Sequence, residues 1–225
     1  MALLFIADVA VCQTPLLESS HKEIWLDGLI GIENSGLVNG QEYQMAFQSV
    51  TSHPFFLQRD PIPGMVVYQS QRFENVPILY DLYQNQVVIA RRRSDGLFDL
   101  IQLDRNSVDS FRIAGHKFIR SGEGSDLRFY DLLFAGKRVT LLCNRTKVNQ
   151  IKGQGNVEYV GSDRYYLSES GRSKPVNSAS ALLDLTDRKK DLQRFIKDSH
   201  IKFRRLTDEP LIRTAEFLDT ILKHD

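Results

Sequence analysis

The sequence predicts an α+β protein, mainly antiparallel β, with two or three C-terminal helices packed on the sheet. Three observations carry this. Between Gly64 and Glu169, short apolar, β-branched and aromatic runs alternate with polar residues, and each run ends in Gly, Asn, Asp or Ser. Several runs place large apolar residues at consecutive positions, as in Leu132-Leu133-Phe134. Such strands need cover on both faces, so the sheet is expected to be a curled sheet, a sandwich or a small barrel. After Asn177 the spacing changes: Leu182, Leu183, Leu185, Leu192, Phe195 and Ile196 follow a helical period.

Four segments follow from this. Residues 1–13 read as a secretory signal peptide, 14–63 as an irregular N-terminal segment, 64–170 as the β unit and 171–225 as the helical segment. The run Ala2–Cys12 is apolar and is followed by the polar Gln13-Thr14-Pro15, which matches the core and exit of a leader. No Lys or Arg precedes the run and Asp8 interrupts it; the competing reading is a first buried strand of a cytosolic domain. With a leader, the mature chain begins shortly after Cys12. Cys143 then stands alone within the strand pattern Val139–Cys143, as a small buried hydrophobe.

Residues Pro15–Pro63 are punctuated by prolines, at Pro54, Pro61 and Pro63, and read as an extended tether laid across the β unit. The Asn39-Gly40 pair suits a tight hairpin turn. Met65–Tyr68 opens the strand series. In Val76–Leu82, Ile78, Tyr80 and Leu82 share one face, and Pro77, Leu79 and Asp81 the other. Turns follow at Tyr83–Gln86 and Asp95-Gly96, at Gly115, and at Gly122 and Gly124. The Ala135-Gly136 turn, where a positive φ is expected at Gly136, joins Asp126–Phe134 to Lys137–Arg145. The polar stretch Lys147–Asn156 interrupts the series before Val157–Val160 and Arg164–Leu167.

Ser173–Asn177 is read as a linker. Ser178 or Ser180 can cap a first helix, and Thr186 with Asp187 a second that runs to about His200. A third begins after Thr207, with Asp208 and Glu209 near its positive end and Pro210 in its first turn. Leu192, Phe195 and Ile196 should face the β unit, and Lys189, Lys190 and Lys197 water.

Composition narrows the function classes. Lys plus Arg number 29 against 28 for Asp plus Glu, without the basic excess a nucleic-acid binder concentrates on one face. No apolar run approaches the roughly 20 residues of a transmembrane helix. The sequence has no Gly-rich phosphate loop, His-x-x-x-His pair, Cys-x-x-Cys or Gly-x-Ser-x-Gly elbow. His21, His53, His116, His200 and His224 define no ligand set, so no metal, cofactor or catalytic residue is assigned. Asp81, Asp99, Asp104, Asp109, Asp126 and Asp131 lie in or beside strands, where turn and strand-end roles compete with a glycosidase-like carboxylate pair. Arg91-Arg92-Arg93 reads as a solvated strand end that discourages edge pairing. Of the pairs Phe129-Tyr130 and Tyr165-Tyr166, one member each should be core and the other surface, where a sugar platform is the alternative.

The motifs Gly64-x-Val66-x-Tyr68, Val76-Pro77-x-Leu79-Tyr80-Asp81 and Phe129-Tyr130-x-x-Leu133-x-x-Gly136-Lys137 resemble an uncharacterised group of exported, β-rich proteins of Bacteroidota. So does the tail from Ser180 through Leu192, Phe195-Ile196-Lys197 and Ile201-Lys202-Phe203. The resemblance spans about residues 36 to 222. It implies export to the cell envelope, in the periplasm or at the outer membrane or cell surface, and it carries over no functional residue. The expected function is a non-catalytic binding or scaffolding role, its partner another envelope protein or a surface ligand. The alternative is a glycan- or peptide-directed hydrolase whose carboxylate pair is not identifiable from sequence.

Overall fold

The computed structural model describes residues 36–49, 51–93, 96–122, 126–152, 156–169, 172–184, 186, 188–201 and 206–222. The expected leader, Cys12, His21 and His224 lie outside them.

The strands are β1 (Gln41–Glu42), β2 (Ile62–Tyr68), β3 (Gln71–Asp81), β4 (Gln86–Arg92), β5 (Phe98–Gln102), β6 (Val108–Ile113), β7 (His116–Ser121), β8 (Arg128–Ala135), β9 (Val139–Asn144), β10 (Lys147–Ile151), β11 (Val157–Gly161), β12 (Arg164–Glu169) and β13 (Arg172–Pro175). Among the described residues eleven of them form one antiparallel sheet in the order β1-β5-β4-β3-β2-β6-β7-β8-β9-β12-β13, and β10 and β11 form a separate two-stranded sheet. The sheet is open, with β1 and β13 at its edges, so the curled-sheet reading holds rather than a closed barrel.

Two short turns show why these residues make hairpins. Gln69 and Ser70 both have positive φ, as do Ala114 and Gly115. Two successive left-handed residues match the twist of the flanking strands.

The curl is visible in hydrogen bonds between strands that are not neighbours. Three strands separate β3 from β8 in the sheet order. Yet Asn85, in the turn after β3, donates from Nδ2 to the Leu127 carbonyl at 2.9 Å, and its Oδ1 accepts from the Tyr80 hydroxyl at 3.0 Å. The concave side so formed holds Phe118 and Phe129, each in ring contact with both Tyr80 and Phe111, together with Val66, Ile78, Val87 and Ile89. Strand β3 is covered on its other face too. There Leu79 and, from β4, Val88 pack under Tyr43 and Phe55 of the N-terminal segment. The described part of that segment thus packs on the sheet through Tyr43 and Phe55.

The tail has α1 (Ala179–Leu183), α2 (Lys189–Asp198) and α3 (Asp208–Ile221). Ser178 caps α1 by accepting the Ala181 N–H. Helix α3 lies on β8 and β9, and α2 packs on α1 and α3. Leu192 is fully buried in the cluster that also holds Leu141, Cys143, Leu167, Leu211, Ala215 and Leu218. Phe195 faces a different partner from the one expected: it stacks on Phe217 of α3 at 4.4 Å. Lys189, Lys190 and Lys197 are exposed, as the spacing predicts.

Four expectations are corrected. Ser173–Pro175 is not linker but part of edge strand β13, where a proline is tolerated because no partner needs its N–H. The sheet therefore continues past residue 170 through β13, and at its other edge it takes in Gln41–Glu42. Gly36–Asn39 is a 3₁₀ turn leading into β1, which pairs with β5, so Asn39-Gly40 makes no local hairpin. Lys147–Ile151 is a strand, its polarity reflecting a hairpin half-exposed on both faces. Finally, Gly136 does not have a positive φ. Glycine is needed there for space: a Cβ would sit 2.5 Å from the Asp219 carboxyl and 2.7 Å from the Phe134 ring.

Candidate functional site

The strongest convergence of polar side chains centres on Arg145, just past the end of β9. It follows Val139, Leu141 and Cys143 in the strand's inward parity, so its side chain enters the interface between sheet and helices. Only 9% of that side chain is exposed. Its Nε and Nη2 donate to Asp131 Oδ2 at 3.0 and 2.8 Å, its Nη1 to Asp163 Oδ2 at 2.7 Å, and its Nη2 also to Asp208 Oδ2 at 2.5 Å. Asp131 comes from β8, Asp163 from the turn before β12, and Asp208 from the first turn of α3. Two more groups join: His116 Nδ1 lies 2.7 Å from Asp131 Oδ2, and Tyr165 donates its hydroxyl to Asp208 Oδ1 at 2.9 Å.

Electrostatics follow from burial. Desolvation of Arg145 opposes its charge, and the Asp208, Asp163 and Asp131 hydrogen bonds, together with nearby Cys143, outweigh it, holding the pKa above that of free arginine. Burial, then the Asp208 hydrogen bond, pushes the Tyr165 phenol up. Burial likewise pushes the Cys143 thiol well up. That thiol, fully buried, is the inert hydrophobe expected.

A second polar centre sits at Asp81. Its Oδ2 accepts the Tyr43 hydroxyl at 2.5 Å, and its Oδ1 accepts the N–H groups of Tyr83 and Gln84 at 2.7 and 2.8 Å. Beside it, Lys147 donates to the carbonyls of His53 and Phe55. Burial lowers the Lys147 pKa, and the Asp81 charge partly restores it. Both groups pin the N-terminal segment to the sheet.

The other sequence candidates separate cleanly. Asp99 pairs with Arg91 at 2.6 Å and Arg93 at 3.6 Å, so two members of the arginine run share one side, as alternation requires. Asp104 closes a turn by accepting the Asn106 N–H and the Ser107 hydroxyl. Asp109 accepts from the Ser70 N–H and from Arg120. Asp126 is exposed. His53 stacks on Phe55, and His200 is exposed at the end of α2 with positive φ. Among the described residues no group of His, Cys, Asp and Glu has the arrangement of a metal site. Phe129 and Tyr165 are buried, whereas Tyr130 and Tyr166 lie half-buried on the outer face, edge to face at 5.7 Å.

Beside the Arg145 centre, Asp163 and Tyr165 also line an open groove of about 740 Å³ between the start of β12 and the end of β13. Sequence reasoning missed Arg145, Asp163 and Asp208. The signal for Arg145 was its inward parity, shared by Asp131 in the neighbouring strand; Asp163 and Asp208 left none.

No family model matches the chain, and neither a curated protein nor a solved structure matches it.

Proposed function

We propose that this chain is an exported cell-envelope module that binds or scaffolds another envelope protein or a surface ligand without turning it over. One observation carries the reading: the convergent carboxylates are engaged inside the fold. Asp131, Asp163 and Asp208 meet on one arginine, and Asp81 is taken by Tyr43 and two backbone N–H groups. A hydrolase needs one carboxyl to exchange protons and a second to face it across a substrate. Ion-paired acids held at an arginine are suited instead to fixing the geometry of a surface. The open groove supports recognition of an extended ligand more than enclosure of a reacting bond. Placement in the periplasm or at the outer membrane or cell surface rests on the apolar run Ala2–Cys12 and on the resemblance to exported β-rich proteins.

The test uses the full chain and a cell-envelope preparation from its native host. Cell fractionation should place the protein outside the cytoplasm. Sedimentation with the envelopes should show saturable binding, with no release of reducing sugar ends or free amines. Turnover that disappears in Asp163→Asn or Asp208→Asn would establish the hydrolase alternative, and a cytoplasmic protein without saturable binding would end the proposal.

A further inference from the structure

Resting on the binding-module reading, we infer that the groove at the start of β12 and the end of β13 is a carbohydrate site that takes a segment of an oligosaccharide chain. Its lining combines two kinds of surface. Tyr166 and Pro175 are cross-strand partners and therefore project from the same face of the sheet. The Tyr166 ring is held in place by Tyr130, whose ring meets it at 87°. Leu206 adds apolar surface. Around them stand Asp163, Arg164 and Asn177: a carboxylate, a guanidinium and a carboxamide.

A sugar ring presents the complementary pattern, a flat C–H face and a girdle of hydroxyls that both donate and accept. The aromatic ring covers the first, and planar polar side chains satisfy the second. Purely apolar ligands would leave the polar half of this lining unpaired, which costs affinity. A polyanion would meet Asp163 beside Arg164, without net positive charge. The groove's volume falls within the usual range for ligand sites, and the groove is open to solvent.

Asp163 gives the site its rigidity. About a third of its side chain is exposed, while its Oδ2 is held by Arg145, itself anchored on Asp131 and Asp208. The buried network so holds one surface acceptor in position before any ligand arrives, and this lowers the ordering cost of binding. The Arg145 centre is then the support of the binding site rather than a catalytic machine.

Saturation-transfer difference NMR and calorimetry on the full chain test this with cello-, chito-, malto-, manno- and xylo-pentasaccharides. At least one should bind with millimolar or tighter affinity, with its ring protons saturated from aromatic side chains. Tyr166→Ala should weaken that binding about tenfold or more. Tyr166→Phe should retain it, and Arg164→Ala should weaken it a few-fold, all three measured on protein that still unfolds in one cooperative transition. Binding of none of the five, or binding indifferent to Tyr166→Ala, would overturn the assignment. So would tighter binding of an unglycosylated peptide that protects the same groove. Saturable envelope binding that survives Tyr166→Ala and is not competed by the sugars would remove the glycan site alone and leave the module reading intact.

Discussion

Replacing Arg145 with Met tests whether the charged centre holds the sheet and helices together. Arg145→Met keeps an unbranched, apolar side chain and removes every hydrogen bond that Arg145 makes to the three carboxylates. The effect is unequal among them. Asp163 and Asp208 are 35% and 33% exposed, so water and salt replace much of what they lose, and each contributes no more than about 1 kcal/mol. Asp131 is 1% exposed and keeps only His116 of its side-chain partners described above. Stranding a buried charge in this way costs about 3–5 kcal/mol. Urea denaturation should therefore show a lower midpoint for Arg145→Met with an unchanged slope. Asp131→Asn removes the stranded charge, so the double variant Arg145→Met with Asp131→Asn should recover part of the loss. The coupling in that cycle should be about 2 kcal/mol, at the upper part of the range for groups sharing one network. Asp163→Asn alone should cost about 1 kcal/mol or less. If Arg145→Met costs under about 1 kcal/mol, or if Asp131→Asn recovers nothing, the centre is not what anchors the interface.

Gly136→Ala should destabilise by about 1–3 kcal/mol in the same assay, because its methyl would overlap the Asp219 carboxyl that accepts the Arg138 and Val139 N–H groups; a neutral result would mean that helix α3 can shift aside. Leu192→Ala should cost about 2–5 kcal/mol, since Leu192 is fully buried, whereas exposed Lys190→Ala should stay within about 0.5 kcal/mol. Equal midpoints for these two would contradict the observed packing. The pKa of His53 is lowered by burial and then by Lys147 and Arg59. The unfolded chain therefore takes up the proton first, and stability must fall as pH drops through about 6.5. His53→Phe should lose less stability than the wild type between pH 7 and pH 5; an equal loss would assign the dependence to other groups.

The strands were legible because a half-buried strand repeats every two residues. The alternation read from Ile78, Tyr80 and Leu82 against Leu79 and Asp81 is the alternation the structure uses, with two different clusters on the two faces. Where neither face is buried, that signal vanishes. Lys147–Ile151 and Arg172–Pro175 are held by backbone pairing at a hairpin arm and a sheet edge, and the order of their residue types carries no trace of it. The charged centre was hidden for a different reason. Asp131, Arg145, Asp163 and Asp208 share no local spacing, and only the register that puts Asp131 opposite Cys143 makes them neighbours. Asp131 has the same parity as Phe129, and Arg145 the same as Leu141 and Cys143. Opposite charges at inward positions of two adjacent apolar strands are a readable cue to a buried ion pair. The third and fourth members are supplied by a turn and a helix start, which no strand pattern can locate.

That geometry also decides whether the helical tail is an appendage. Helix α3 is pinned to the sheet near both ends. Asp208 in its first turn meets Arg145 and Tyr165, and Asp219 near its last turn accepts two N–H groups from the start of β9. Between these, Leu211, Ala215 and Leu218 are buried against the sheet. An isolated helix of this length is marginal in water, so its hydrogen bonds persist only as long as that face stays docked. Opening α3 would expose the apolar surface of β9 and at the same time remove Asp208 from the charged centre. Partial opening is thus about as costly as losing the sheet itself, and one cooperative transition should result. Hydrogen exchange followed amide by amide is the direct measurement. The central amides of α3, from Leu211 to Leu218, should show protection close to that of β9. The two sets should also respond together to added denaturant. Helix amides that exchange several hundredfold faster than those of Leu141 and Cys143 would show a tail that undocks alone, and the interface would then be a surface free to receive a partner.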